Sequence, residues 1–200
     1  KWAKNSAEGF LFPDTYELPQ EPKAAAVIKQ TTDNFKKVIK EIDFVDAAEE
    51  AGVKPYQALI IASIIEREAG SADREKVARV IYNRLKEGMR LQMDSTVHYA
   101  LNKTGVAAIT KEEQKFESPY NTYLHKGLPP GPIAAPSEAS LEAAVNPAEG
   151  KWLYFVTINL DTGETAFSNT LDEHNANAAK YYAWCQESDA NYKKCYGKDR

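Results

Sequence analysis

The chain has 200 residues, of which 43% are hydrophobic and 27% charged, with 10 glycines and 10 prolines. This composition excludes collagen-like, disordered and disulfide-dense proteins, and the chain is long enough to bury a core. Its formal net charge of -4 provides no basic field, so we expect no nucleic-acid partner. The apolar runs at 58–62 and 64–65 are far shorter than the roughly 20 residues of a membrane-spanning helix. The sequence opens without a methionine or signal peptide, which indicates a piece of a longer protein.

Hydrophobic periodicity predicts helices first and a β-hairpin late in the chain, which is an α+β fold. A short helix is expected after Thr110, because Thr110 and Glu113 have the spacing of a capping box. The predicted elements in chain order are an extended opening (8–22), helices (24–42, 56–69, 72–88, 137–145), two strands (152–158, 165–168) and a closing helix (171–187).

Two carboxylates end a predicted helix that is otherwise almost wholly apolar, within residues 60–70. Helical spacing places Glu68 over three isoleucines and Glu66 over smaller side chains, so both are drawn toward the interior. Burial raises the pKa of a carboxyl group, and a protonated acid is what cleavage of a glycosidic bond requires. An ion pair with a nearby arginine explains the carboxylates equally well: Arg67, Arg74 or Arg79.

A second cluster, Gln92, Asp94 and Thr96, follows a glycine break. The three residues alternate, so an extended segment would turn them to one side, where they could bond sugar hydroxyls and amides. The alternative is a polar loop in which Asp94 caps the next helix.

A third cluster combines Tyr120, Asn121, Thr122 and Tyr123 ahead of a proline-rich loop at 127–133. Tyrosines beside amide and hydroxyl groups offer apolar faces with polar tips, which suit sugar rings, and the prolines limit the entropy lost on binding. A polyproline ligand for a partner domain is the less favoured alternative, because the run is short.

Asn169 and His174, after the hairpin, are further binding candidates, although a structural role is favoured for the histidine. The histidines lack metal-ligand spacing and the glycines match no nucleotide-binding fingerprint, so we expect no metal and no cofactor. Cys185 and Cys195 could form a disulfide in an oxidising compartment or remain free thiols.

Several segments together resemble the YceG-like family, the endolytic murein transglycosylases. These segments occur in the family's order over most of the chain: 8–16, 62–68, 83–85, 88–97, 120–123, 127–133, 154–156 and 174–175. The sequence has Met93 and Ser95 where most family members have threonine and proline.

The resemblance implies a lysozyme-like helical core and cleavage between N-acetylmuramic acid and N-acetylglucosamine inside peptidoglycan strands, leaving 1,6-anhydro ends. It assigns the catalytic acid, then base, to Glu68 and a supporting role to Glu66; only one buried acid stands out in the sequence, and this chemistry needs only one. The implied substrate-binding residues are Gln92, Asp94, Thr96, Tyr120, Asn121, Thr122, Tyr123, Asn169 and His174. A glycan-binding module and a hydrolytic muramidase are the alternatives.

The resemblance also implies an enzyme at the extracytoplasmic face of a bacterial membrane. Its membrane anchor would lie outside this chain, and cell-wall synthesis proteins are candidate partners. The expected organisation is a lead-in (1–22), a catalytic domain (23–187) and a C-terminal tail (188–200).

Overall fold

The computed structural model describes residues 6–104 and 108–200, which form helices around a late hairpin. The elements in chain order are α1 (Ala24–Glu41), α2 (Phe44–Glu50), α3 (Pro55–Glu68), α4 (Arg74–Lys86), α5 (Asp94–Ala100), a 3-10 turn (Glu113–Lys115), α6 (Glu138–Val145), β1 (Tyr154–Asn159), β2 (Glu164–Ser168), α7 (Leu171–Glu187) and α8 (Asp189–Tyr196).

Helix α3 is the centre of the core, packed against α2, α4, α5 and α6. Pro55 occupies its first turn, where a missing N–H costs nothing. Residues 58–65 are all buried, and each fully buried isoleucine or leucine contributes about 1.5–3 kcal/mol by leaving water. Ser63 is the polar exception: its hydroxyl donates to Ile60 O (2.7 Å) and accepts from Ile133 N (3.0 Å), which fastens the proline-rich loop to α3.

The hairpin and the last two helices form a second layer beside this core. Strands β1 and β2 pair antiparallel, with Tyr154 opposite Ser168. Helix α7 packs on the hairpin and begins with a reciprocal capping box between Thr170 and Glu173. Strand β1 also contacts α4, which joins the two layers.

The predicted α+β class is confirmed, as are the long helices and the hairpin. The helix predicted after Thr110 is a single 3-10 turn, with both capping-box hydrogen bonds present between Thr110 and Glu113 (3.2 and 2.7 Å). The extended reading of 92–96 is wrong from Asp94 onward, because α5 begins there.

Three helices of the described residues, α2, α5 and α8, were not among the predicted elements. Helix α2 is a single short amphipathic segment that buries only Phe44 and Ala48, and α8 lies in what was predicted to be a tail. Cys185 and Cys195 form a disulfide. The first five residues of the predicted lead-in lie outside the described residues. Across the described parts of the chain, every helix is too short or too polar to cross a bilayer.

Candidate active site

A cleft of about 660 Å³ opens between the helical core and the hairpin layer. Its walls come from the end of α3, the start of α5, strand β1, and the inner faces of α7 and α8. Five of the predicted site residues line this cleft: Glu68, Gln92, Asp94, Tyr123 and His174.

Glu68, at the end of α3, is the central acid of the cleft. The backbone N–H of Ser95, a first-turn donor of α5 with no partner inside its own helix, donates to its Oε1 at 2.9 Å. Burial raises the pKa of Glu68; hydrogen bonding from Ser95 opposes this shift, and the negative charge of Asp94 adds to it. The direction of this shift is the one predicted from the sequence.

Asp94 is a second acid in the same cleft, so the expectation of a single buried acid is wrong. Its Oδ1 accepts a short hydrogen bond from the Tyr123 hydroxyl and its Oδ2 accepts from Ile109 N at 3.3 Å. Burial raises the pKa of Asp94, while these two hydrogen bonds oppose the rise. Sequence reasoning missed this burial because the segment was read as extended.

Gln92 lies at the rim of the cleft with a left-handed backbone (φ 51°), a conformation that costs a non-glycine residue energy. Its N–H donates to Thr122 O at 3.1 Å. Its side-chain Oε1 accepts from Arg84 at 3.4 Å.

Arg84 lines the cleft and was not predicted as a site residue. It is 7% exposed and lies over the Tyr154 ring, with its guanidinium carbon 5.0 Å from the ring centroid. The signal in the sequence was its position on the buried face of α4, in phase with Val77 and Ile81. A charged residue on the apolar face of a helix indicates either a buried hydrogen-bond network or a functional site, and Arg84 contributes to both.

Two histidines of the cleft have a buried ring nitrogen without a hydrogen-bond partner among the described residues: His98 Nε2 and His174 Nδ1. Burial lowers the pKa of both imidazoles, so both are held neutral. His174 stacks on Tyr154, with ring centroids 5.3 Å apart. His98 was overlooked because a lone histidine is a weak signal.

Glu66 is not among the cleft-lining residues. Its side chain instead joins α3 to α6 through hydrogen bonds. Its Oε2 accepts from Ser137 N (2.9 Å), Ser137 Oγ (2.6 Å) and Ser140 Oγ (2.6 Å). Burial acts to raise the pKa of Glu66, but these hydrogen bonds and the charge of Arg74 outweigh it, so the pKa lies below its ordinary value. An acid held ionised is poorly suited to donate a proton.

Replacing Glu66 by glutamine is expected to lower the free energy of unfolding by about 1–2 kcal/mol near neutral pH, because the ionised acceptor of three hydrogen bonds becomes neutral. Since the folded-state pKa is depressed, this stabilisation is present above the unfolded-state pKa and is lost as the pH falls through the folded-state pKa. Urea unfolding at neutral and acidic pH measures the difference, which should shrink on acidification. Glu142→Gln, an exposed glutamate on helix α6, is the matched control.

Other predicted site residues form hydrogen bonds within the protein that support the walls of the cleft. Asn121 is fully buried and donates to Gln114 O (3.0 Å) and Phe116 O (2.8 Å). The Thr122 hydroxyl accepts from Met93 N at 3.0 Å and lies 2.9 Å from the buried Thr96 hydroxyl. These bonds join the 120–123 segment to the start of α5.

Tyr120 and Asn169 also lie outside the cleft lining. The Tyr120 ring packs on Tyr99, with centroids 4.9 Å apart, at the edge of the core. Asn169 is exposed, and its backbone N–H donates to Glu173 at 2.9 Å as part of the α7 cap.

Comparison with known proteins covers nearly the whole chain. The sequence model of the YceG-like family matches residues 1–180. An endolytic murein transglycosylase of Bacillus subtilis (strain 168) is 41% identical over 184 residues, 89% of this chain and 49% of that protein. The protein of the same name from Streptococcus pneumoniae serotype 2 (strain D39) is 30% identical over 90% of this chain and 33% of its own length.

The fold is shared with a solved structure as well. A crystal structure of a YceG-like protein from Listeria monocytogenes matches with a TM-score of 0.78 at 39% sequence identity, over 88% of this chain and 57% of that chain. The chain thus spans at most about half the length of the curated relatives named above. The family match extends over nine-tenths of the 200 residues and includes α3 and α5, the helices that carry Glu68 and Asp94, and on this ground the chain belongs to the YceG-like family.

Proposed function

We propose that this chain is the catalytic part of an endolytic lytic transglycosylase that cleaves the bond between N-acetylmuramic acid and N-acetylglucosamine within peptidoglycan strands. The observation that carries the proposal is Glu68: an acid whose pKa burial raises, facing a cleft large enough for sugar rings. The names of the relatives from Bacillus subtilis and Streptococcus pneumoniae support the same activity.

In the proposed reaction, protonated Glu68 donates its proton to the glycosidic oxygen as the bond from C1 to that oxygen breaks. The transition state has oxocarbenium character. The C6 hydroxyl of the same muramic acid then attacks C1, and the carboxylate of Glu68 takes the hydroxyl proton. The new C1–O6 bond closes the 1,6-anhydro ring, Glu68 returns to its protonated state, and no water is consumed.

Other cleft residues would position the strand for this step. Gln92 supplies an exposed amide at the rim, and Asp94 and Tyr123 line the same cleft. Hydrogen bonds from such groups can orient the sugar so that its C6 hydroxyl lies close to C1, and positioning of this kind supplies several kcal/mol of a barrier reduction.

A hydrolytic muramidase is the second candidate, and Asp94 is the observation that favours it. A glycosidase that uses water or a covalent intermediate usually has two carboxylates facing one cleft. Both oxygens of Asp94 accept hydrogen bonds, from Tyr123 and Ile109, which fits an electrostatic and positioning role better than nucleophilic attack.

Product analysis separates these candidates. Purified protein is incubated with sacculi in oxygen-18-labelled water, and the released fragments are analysed by mass spectrometry. We expect 1,6-anhydro ends without the heavy isotope. Reducing ends that carry oxygen-18 would establish hydrolysis, and sacculi that bind protein without fragment release would establish a binding module.

Replacing Asp94 by asparagine is expected to move the alkaline limb of the kcat/KM pH profile to lower pH, by up to roughly one pH unit. The negative charge of Asp94 is one cause of the raised pKa of Glu68, and removing it lets Glu68 ionise more readily. Since the reaction needs protonated Glu68, activity is then lost at a lower pH. An alkaline limb that stays in place would show that Asp94 does not tune Glu68.

The cellular setting is part of the proposal. In this proposal the reaction takes place at the extracytoplasmic face of the bacterial membrane, with cell-wall synthesis proteins as candidate partners. Residues 23–187 are proposed as the catalytic domain.

A further inference from the structure

One wall of the cleft is built by residues that lie beyond the family match. That match ends at residue 180, yet Tyr181, Tyr182 and Tyr196 line the same cleft as Glu68. The C-terminal part of α7 and helix α8 therefore add a surface to this cleft that membership of the family does not account for.

This wall is held in a defined position. The disulfide between Cys185 and Cys195 folds α8 back onto α7, and both cysteines are fully buried beside Trp184. Ser188 caps α8 by accepting from Asn191 N at 3.1 Å, and the Asn191 side chain donates to Trp184 O at 3.0 Å. Helices α7 and α8, connected in this way, form a platform with a defined position.

The platform is also joined to the hairpin. Leu160, Tyr181 and Tyr196 pack against the buried cysteine pair. Lys194 on α8 forms an ion pair with Asp161 in the hairpin turn. An exposed ion pair adds little stability, and it is the packing of Leu160, Tyr181 and Tyr196 that makes the tyrosine wall continuous with the hairpin side of the cleft.

The chemistry of the wall suits a neutral sugar ring. Tyr182 is 57% exposed and Leu171 54% exposed, although both line a cleft, so their apolar surfaces are open to a ligand. The cleft-lining residues from α7 and α8 carry no charge, since burial holds His174 neutral: Leu171, His174, Ala178, Tyr181, Tyr182 and Tyr196. A tyrosine presents an apolar ring and a polar tip, which match the apolar face and hydroxyl rim of a sugar. A charged peptide stem would find no counter-charge on this wall.

We propose that Tyr182, supported by Tyr181 and Tyr196, forms an accessory subsite for a sugar ring of the glycan strand, away from the bond that reacts at Glu68. This inference rests on the proposed function, because the sugar belongs to the strand that is cut. The disulfide keeps the subsite aligned with the cleft.

The test measures binding in a background that cannot cut. Glu68→Gln and Glu68→Gln/Tyr182→Ala are titrated by calorimetry with purified glycan strands of increasing length. We expect roughly 3- to 10-fold weaker binding of long strands in the double variant, the effect of uncovering part of one aromatic ring, and unchanged binding of the shortest strands that still bind. Tyr182→Phe in the same background should retain affinity, and Phe116→Ala, an exposed aromatic outside the cleft, is the matched control.

The outcomes are distinguishable. Equal affinity of the two proteins for every strand, or a loss that is the same at all lengths, would overturn the subsite while the proposed function stands. Absence of strand binding by Glu68→Gln, together with absence of anhydro products from the wild type, would overturn both.

Removing the disulfide provides an independent test of the subsite. Closing the ten-residue separation between the cysteines is expected to stabilise the folded tail, so Cys185→Ser/Cys195→Ser should free α8. In the Glu68→Gln background, this change should reproduce the length-dependent loss seen for Tyr182→Ala. Retained affinity for long strands would show that α8 takes no part in the subsite.

Discussion

Glu68→Gln is expected to lower kcat/KM for glycan cleavage roughly 100- to 10,000-fold, the usual loss when a general acid is removed. Glutamine has nearly the same shape and keeps an oxygen that can accept from Ser95 N, as the glutamate does at 2.9 Å. It has no proton to give to a leaving oxygen and no basic carboxylate to take one from the C6 hydroxyl. The loss should therefore appear in kcat, with strand affinity nearly unchanged.

The measurement is the rate of anhydro-product release from sacculi, with thermal unfolding and strand binding as checks on the fold and the cleft. Glu66→Gln separates the two acids: it should keep most of the activity at temperatures where the protein is folded, because Glu66 bonds α6 and does not line the cleft. Full activity of Glu68→Gln, or a comparable loss from Glu66→Gln, would move the catalytic assignment away from Glu68.

Sequence periodicity was sufficient to predict that Glu68 is partly buried. The apolar side chains of α3 leave water only when the helix lies inside the core. This position draws the acid at the end of the helix toward the interior. The same reasoning could not separate Glu66 from Glu68. Their difference depends on partners far along the chain, Ser137 for one and Ser95 for the other.

Other features depended on long-range contacts that no local pattern encodes. Thr122 and Asn121 look like sugar-binding residues because their side chains are polar, but both are buried and satisfied by protein groups. The first-turn N–H of Ser95 could be placed against Glu68 only after α5 was seen to begin at Asp94. The tyrosine wall depends on a disulfide, whose formation two cysteines in a sequence leave open.

Arg84→Met should destabilise the protein strongly, by about 3–5 kcal/mol in the free energy of unfolding. The buried guanidinium donates to Leu153 O (2.5 Å), Leu91 O (2.7 Å) and Arg90 O (3.2 Å). Methionine fills a similar volume without any donor, so these carbonyls lose a charged partner. Each buried acceptor left unsatisfied costs roughly 1–3 kcal/mol, and the contact of the cation with the Tyr154 ring is lost as well.

The matched control is Arg90→Met, because Arg90 is exposed and its change should stay within roughly 0.5 kcal/mol. Urea unfolding of the three proteins measures the difference. Arg84 joins α4 to the approach to β1 and to the segment ahead of α5, so its loss should also loosen the cleft in the protein that remains folded. Strand binding by Glu68→Gln/Arg84→Met should then weaken even at temperatures well below unfolding. Unchanged stability would mean that the three carbonyls find other donors, and Arg84 would then have no structural role to explain its burial.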